Sequence, residues 1–217
     1  MAEGRAPLGC VWLATSNAGK LRDFQRLFAG SGVELVLADA AGVDVDVEET
    51  GKTFEENALI KARHAAGATN LPVLADDSGL AVEALDGAPG VYSARYAGPR
   101  CDDHANNVKL IETLAGIEDR RAAFVCVLAL VLPDGTEVLS YGRCEGLVID
   151  EERGANGFGY DSVFFRPDLG FTFGEVSPEE KNAHSQRADA VEALLAELGR
   201  RGFLVSAETS AVALKSR

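Results

Sequence analysis

Apolar and polar positions along this chain switch between a period near two and a period near 3.6, and the switches mark its elements. Val11-Trp12-Leu13-Ala14 is a short apolar run that stops at the polar segment Thr15-Ser16-Asn17-Ala18-Gly19-Lys20. Beyond it Leu21, Phe24, Leu27 and Phe28 recur at helical spacing up to a Gly30-Ser31-Gly32 stop. The pattern predicts a strand, a polar turn and a helix, then a second strand from Val33 to Leu37. Thr53-Phe54-Glu55-Glu56 has the form of a capping box, opening a helix that carries Asn57, Ala58, Lys61, Ala62, Ala65 and Ala66. Leu71-Pro72-Val73-Leu74-Ala75 reads as a buried strand that runs straight into Asp76-Asp77-Ser78-Gly79. Asp102 or Asp103 is the expected cap of a helix whose apolar positions are Val108, Leu110, Ile111 and Leu114.

Two long extended runs follow, Ala122 to Leu132 and Thr136 to Val148, joined by Pro133-Asp134-Gly135 as a hairpin. Ser177-Pro178-Glu179-Glu180 combines a serine N-cap, proline at the first helical position and glutamate at the third. It predicts one helix through about Leu198. From Gly202 to Arg217 there is no strong periodicity, and a frayed tail is expected. Strand–helix–strand units around a long hairpin give an α/β fold with a mixed sheet flanked by helices. The predicted organisation is a two-lobed single domain over residues 8–200 followed by a tail over 201–217.

Composition narrows the partners. A chain of 217 residues is long enough for one sizeable core or two small lobes. Its 34 acidic against 21 basic residues, a formal net charge of −13, argue against a nucleic-acid-binding surface. A triphosphate remains possible if a few Lys and Arg converge and a divalent cation offsets the carboxylates. Met1 to Leu8 lacks an apolar signal region, and the longest apolar run is too short to span a bilayer, so no membrane partner is expected. Cys10, Cys101, Cys126 and Cys144 form no metal-binding or redox pair spacing, which points to a reduced, cytoplasmic setting.

Several segments offer chemistry, each beside a plainer reading. Thr15 to Lys20 supplies hydroxyls, an amide, a flexible glycine and a lysine at a helix N-terminus, all suited to phosphate oxygens; a capped turn with a solvated lysine is the alternative. Adjacent Asp76 and Asp77 repel each other unless a cation lies nearby, and magnesium fits; a helix cap followed by a glycine turn is the alternative. Glu48 and Glu49 add carboxylates before the Thr53 helix, with Glu49 the more expected to be solvated. Lys61 on that helix has the reach to meet a phosphate. Phe158, between Gly157 and Gly159 in Gly157-Phe158-Gly159-Tyr160-Asp161, can lay its ring on a base while Asp161 accepts from ring N–H groups; a glycine-rich turn with a core aromatic is the alternative. Lys181, Ser185 and Arg187 decorate the start of the last helix, where cations oppose the helix dipole unless an anion is near. No His is placed to make a triad with Ser78.

These blocks, together with Pro89-Gly90-Val91-Tyr92-Ser93-Ala94-Arg95 and Glu180-Lys181-Asn182-Ala183, occur in an order that closely resembles the inosine/xanthosine triphosphate pyrophosphatase family, from about Trp12 to Leu198. The resemblance implies a two-lobed α/β fold with an elongated mixed sheet, an active site in the cleft between the lobes, and a homodimer. It implies that Thr15, Ser16, Asn17, Ala18, Gly19 and Lys20 form a triphosphate loop assisted by Lys61 and Lys181. It makes Glu48 and Asp77 ligands of Mg2+, with Asp77 also the catalytic base and Ser78 a substrate contact. It makes Phe158, Gly159, Tyr160 and Asp161 the base-binding segment, with Arg187 near the purine 6-position. The implied reaction is hydrolysis of ITP, dITP and XTP to monophosphate and pyrophosphate.

The chain departs from that pattern in two places. Family members usually carry Ser-His-Arg where this chain has Ser185-Gln186-Arg187, so a neutral amide replaces a group able to become cationic. His184 cannot stand in for it if the stretch is helical, because two helical residues rotate a side chain by roughly 200°. Ser162 occupies a position where proline is common. Two other functions fit parts of the pattern: a pyrophosphatase of modified pyrimidine or ordinary nucleotides, and a non-catalytic nucleotide-binding sensor.

Overall fold

The computed structural model describes residues 8–204, so the expected tail lies outside the described residues from 205 onward. One seven-stranded sheet runs in the order β2-β1-β3-β4-β5-β6-β7. Strand β1 (Cys10–Ala14) is parallel to β2 (Glu34–Leu37) and to β3 (Val73–Val82). From β3 onward each pairing is antiparallel, through β4 (Arg121–Val131), β5 (Glu137–Val148), β6 (Phe164–Arg166) and β7 (Phe171–Thr172). The sheet is mixed, as the pattern predicted.

Helix α1 (Ala18–Leu27) follows β1, α2 (Phe54–Thr69) precedes β3, and α3 (Asp103–Thr113) precedes β4. Two helices, α4 (Pro178–Ala183) and α5 (Gln186–Arg200), close the described chain. Strand alternation sorts them by face. Leu74 of β3 joins a core with Phe24 and Phe28 of the α1 segment and Leu194 and Leu198 of α5. Val73 and Ala75, pointing the other way, join Ala58, Ala62 and Ala65 of α2. The run of small residues on α2 lets that helix lie close to the strands. A separate core at the far end holds Leu80, Phe124, Phe164 and Phe173 under Leu110 and Leu114, with ring centroids of Phe124 and Phe164 4.5 Å apart. The three long strands β3, β4 and β5 pass through both ends, which makes two lobes on one continuous sheet.

Three expectations are corrected. Strand β3 does not end at Ala75: β4 pairs with it from Val73↔Val131 to Val82↔Ala122, so Asp76, Asp77 and Ser78 are strand residues. The last helix is two helices, because Ser185 supplies a second N-cap whose hydroxyl accepts from Ala188 N–H at 3.2 Å. Residues 201–204 are not frayed. Gly202, at φ +74°, turns the chain so that Phe203 packs into the α1–α5 core, its N–H bonded to Leu198 carbonyl at 2.8 Å.

Helix α5 crosses β5 at Gly142 backbone to backbone: a Cβ there would run into the carbonyl oxygen of Gln186 and the nitrogen of Ala190. Gly142→Ala is therefore expected to destabilise the protein by about 3 kcal/mol in urea denaturation, the upper end for overpacking. Gly67, exposed on α2 where an added Cβ would meet nothing within 4 Å, is the contrast. Gly67→Ala should stabilise by about 0.5–1 kcal/mol.

Candidate active site

Strand β1 stops at Ala14, paired with Ala75, while β3 continues. Between that point and Leu80, where the 88–93 segment begins to cover it, β3 has no strand on its β1 side, and the gap is a cleft of about 300 Å³. Because successive strand residues face opposite ways, Asp76 and Asp77 enter the cleft from opposite faces of the sheet.

Asp76 is on the α1 side and 2% exposed. Lys20 Nζ lies 2.8 Å from its Oδ2, and Ser78 Oγ donates to the same oxygen at 2.8 Å. Lys20 is aimed there by the first turn of α1, where Asn17 Oδ1 accepts from the N–H groups of Gly19 (2.8 Å) and Lys20 (3.1 Å). Burial pushes the Asp76 carboxyl up, but Lys20, Arg187 and Lys61 outweigh it and hold the group at about 2.

Asp77 is on the α2 side. Lys61 Nζ sits 3.0 Å from its Oδ1 and 2.8 Å from Glu49 Oε1, one ammonium between two carboxylates. Asn57 donates from Nδ2 to Asp77 Oδ2 at 3.3 Å and accepts from Gly51 N–H at 2.9 Å, tying the acidic loop to the strand. Burial raises the Asp77 carboxyl above its ordinary range, the proximity of Glu49 adds to this, and Lys61 and Lys20 only partly offset it. Adjacent carboxylates are thus driven apart, one locked as an anion and one readier to take a proton.

The other end of the cleft is built from the turn at 157–161 and the start of α5. Asp161 is buried; Lys181 and the Phe158 N–H (2.9 Å) both bond its Oδ2, which leaves Oδ1 without a protein partner. Burial raises this carboxyl too, against the pull of Lys181. The Phe158 ring lies against Gly19, where a Cβ would come within 2.7 Å of it. Lys181 Nζ and the Arg187 guanidinium stand 4.5 and 5.1 Å from the ring centroid. Arg187 Nη1 reaches Asp23 Oδ2 at 3.4 Å, and its Nε has no partner. Gln186 is 3% exposed, lines the cleft, and its Oε1 is likewise without a partner.

Most of the expected residues converge. Thr15, Ser16, Asn17, Lys20, Lys61, Asp77, Ser78, Phe158, Gly159, Tyr160, Asp161, Gln186 and Arg187 all line the cleft. Ala18 is exposed and Gly19 meets Phe158, so neither faces it. Tyr160 is mainly a core residue whose hydroxyl donates to Ser93 carbonyl at 2.9 Å. Lys181, expected on phosphates at the start of a helix, is in the last turn of α4, beyond Phe158 and bonded to Asp161. His184 does not line the cleft; the break between α4 and α5, rather than a helical rotation, sets it apart from Gln186. In the acidic loop Glu48 is exposed, while Glu49, the one expected to be solvated, faces the cleft and pairs with Lys61.

The inward position of Glu49 was readable. Val45, Val47 and Glu49 share one face of an extended stretch whose exposure alternates residue by residue. Asp76 was expected only as half of a carboxylate pair, without its lysine partner, and Asn57 and Asp23 were given no role at the site by sequence. Asn57 and Asp23 carry the one available signal, a polar residue on the apolar face of a helix.

A model of the Ham1 family matches residues 11–197. The chain belongs to the Ham1 family. It is 53% identical to the dITP/XTP pyrophosphatase of Burkholderia pseudomallei, over 87% of this chain and 93% of that one. Among solved structures, a HAM1 protein from Coxiella burnetii superposes with a TM-score of 0.81 at 44% identity, covering 88% of this chain and 98% of its own. A nucleoside-triphosphatase / dITP/XTP pyrophosphatase from Mycobacterium abscessus gives 0.71 at 46% identity, with 86% and 98% covered. Among the described residues no helix is long and apolar enough to cross a membrane.

The carboxyl of Asp76 at about 2, against an ordinary 3.8, has a consequence for acid stability. A depressed carboxyl contributes its full stabilisation above the unfolded value and loses it as pH falls toward the folded one, here about 2 kcal/mol. The stability gap between wild type and Asp76→Asn, from urea unfolding, should therefore shrink steadily from pH 4 to pH 2. A gap constant over that range would contradict the assignment.

Proposed function

We propose that this Ham1-family protein hydrolyses deaminated purine nucleoside triphosphates (ITP, dITP and XTP) to the monophosphate and pyrophosphate. The observation that carries this is one cleft with two chemically distinct ends. Two lysine-paired carboxylates, Lys20–Asp76 and Lys61–Asp77, occupy one end; an aromatic ring with an acceptor and a guanidinium, Phe158, Asp161 and Arg187, occupies the other. The names of the relatives support the same reading.

In this reading Lys20, Lys61 and the polar groups of Thr15 to Asn17 bind the phosphates and take up negative charge on the leaving pyrophosphate. Asp77 orients a water toward the α-phosphorus and accepts its proton; a new P–O bond forms as the α–β anhydride bond breaks. No covalent enzyme intermediate is needed, since positioning and charge stabilisation dominate such transfers. Asp76 remains an anion throughout and keeps Lys20 in place, with Ser78 bonded to it beside the substrate.

Magnesium fits the donor set. Asp77 and the acidic loop supply two carboxylates already gathered around one cation, Lys61 Nζ, and magnesium takes one or two carboxylates with substrate phosphates completing its shell. Asp77 with Glu48 or Glu49 would hold it. When bound it would supply charge neutralisation of the phosphates and acidification of a water.

At the base end, Asp161 Oδ1 is free to accept from the N1–H of hypoxanthine or xanthine, and Arg187 donates toward the 6-oxygen. Adenine reverses both, leaving donor against donor, a mismatch worth a few kcal/mol in a buried site. Gln186, whose Oε1 has no hydrogen-bond partner among the described residues, adds a neutral hydrogen-bonding group. A homodimer in a reducing, cytoplasmic compartment completes the proposal; the family resemblance supports the first, and the buried free thiols of Cys126 and Cys144 suit the second.

Pyrophosphate release should be measured with magnesium from ITP, dITP, XTP, GTP and ATP side by side. Strong preference for the first three is expected, and chelation of the metal should stop it. Equal rates on all five would discard base selectivity; binding without release would favour a sensor. Asp77→Asn should lower kcat at least about a hundredfold, as loss of a general base does. Phe158→Ala should raise KM for every purine substrate about tenfold with a smaller effect on kcat.

A further inference from the structure

Base recognition, on the reading above, rests on a segment with little stiffness of its own. Gly157 and Gly159 both have positive φ, +79° and +62°, and residues 157–163 are turns without strand or helix. Their restraint comes from helix α3, whose Leu110 and Leu114 share a core with Tyr160 and Val163. Asp103, in the first turn of α3, accepts the Gly159 N–H at Oδ2 (2.7 Å). Asn107, one turn further, donates from Nδ2 to the Gly159 carbonyl (3.2 Å). Both backbone polar groups of Gly159 are therefore held by side chains four residues apart on one helix face.

The second arm is itself anchored. Asn107 is 2% exposed, and its Nδ2 also meets Glu152 Oε1 at 2.7 Å and Ser162 Oγ at 3.1 Å, while Ser162 donates to Glu152 at 3.0 Å. Turned over, the amide would set its carbonyl oxygen against a carboxylate and a backbone carbonyl, so the neighbours fix its orientation. The Ser162 hydroxyl gives this chain a contact that a proline there would lack. No hydrogen bond or ion pair joins Asp103, Asn107, Glu152 or Ser162 to Lys20, Lys61, Asp76 or Asp77. The restraint acts at the base end alone.

We propose that Asp103 and Asn107 are positioning residues for base recognition, holding Gly159 so that Phe158 and Asp161 present ring and carboxylate to the purine. The proposal rests on the reading of residues 158–161 as the base-binding segment. It is tested with Asp103→Ala, Asn107→Ala and the conservative Asp103→Asn, which keeps an acceptor for the Gly159 N–H. The readouts are KM and kcat for ITP, the competitive inhibition constant of inorganic tripolyphosphate, and the melting temperature. The alanine variants should raise KM about tenfold, the order expected for one lost hydrogen bond to a charged or backbone partner, with kcat within about twofold. The tripolyphosphate constant should not move, and Asp103→Asn should recover most of the affinity.

An unchanged KM in both alanine variants would overturn the proposal, as would a tripolyphosphate constant that rises in step with KM, since that marks a general structural role. Should Asn107→Ala fail to fold, Asp103→Ala, exposed at a helix start, decides the matter with its asparagine partner. Wild-type protein that leaves ITP intact would instead sink the functional reading on which the proposal stands.

Discussion

Two neighbouring carboxylates on a buried strand cannot both be charged unless each has its own cation, and the architecture follows from meeting that demand. Strand geometry sends Asp76 and Asp77 to opposite faces, so the cations must come from opposite layers: Lys20 from α1 and Lys61 from α2. Both can reach only because β1 stops one residue short of the pair and leaves the edge of β3 open. On the other edge β4 pairs without interruption and keeps the backbone of Asp76 and Asp77 satisfied. A strand left open on one side and closed on the other is what turns a structural ion pair into a cleft.

The same demand explains why the two aspartates differ. Asp76 gathers Lys20, Arg187 and Lys61 and is pulled down in spite of its burial; Asp77 has Glu49 nearby and is left higher. A pair in which one member is fixed as an anion and the other is not is suited to a division of labour between holding a lysine and moving a proton. Asn57 supports the second role from below, bonding Asp77 and, through Gly51, the acidic loop.

Sequence periodicity made the hairpin, both serine and threonine caps, and the small-residue face of α2 legible. Those features are set by local rules. It misjudged the length of β3, because the continuation through two aspartates depends on a partner strand about fifty residues away, and no local propensity favours Asp in a strand. It merged α4 and α5 because the apolar spacing runs on across the break, although Ser185 had the makings of a second cap. Ordered polar blocks gave most of the cleft. They did not give Asp23 behind Arg187 or Asn57 behind Asp77, whose roles depend on which side chains meet across elements distant in the chain. They also left Glu49 in solvent, where the alternation of Val45 and Val47 held the answer.

The strands β3, β4 and β5 run unbroken through both lobes, each ladder intact from end to end. Three hydrogen-bonded strands crossing a boundary together leave no linker between the lobes, so any closure on a ligand has to bend or twist the sheet itself. The turns at the rim, the acidic loop on one side and the Phe158 turn on the other, lie outside those ladders. Side chains can be exchanged on those rims while the frame stays constant, whereas Gln186 sits where α5 meets β5 backbone to backbone, within the frame itself.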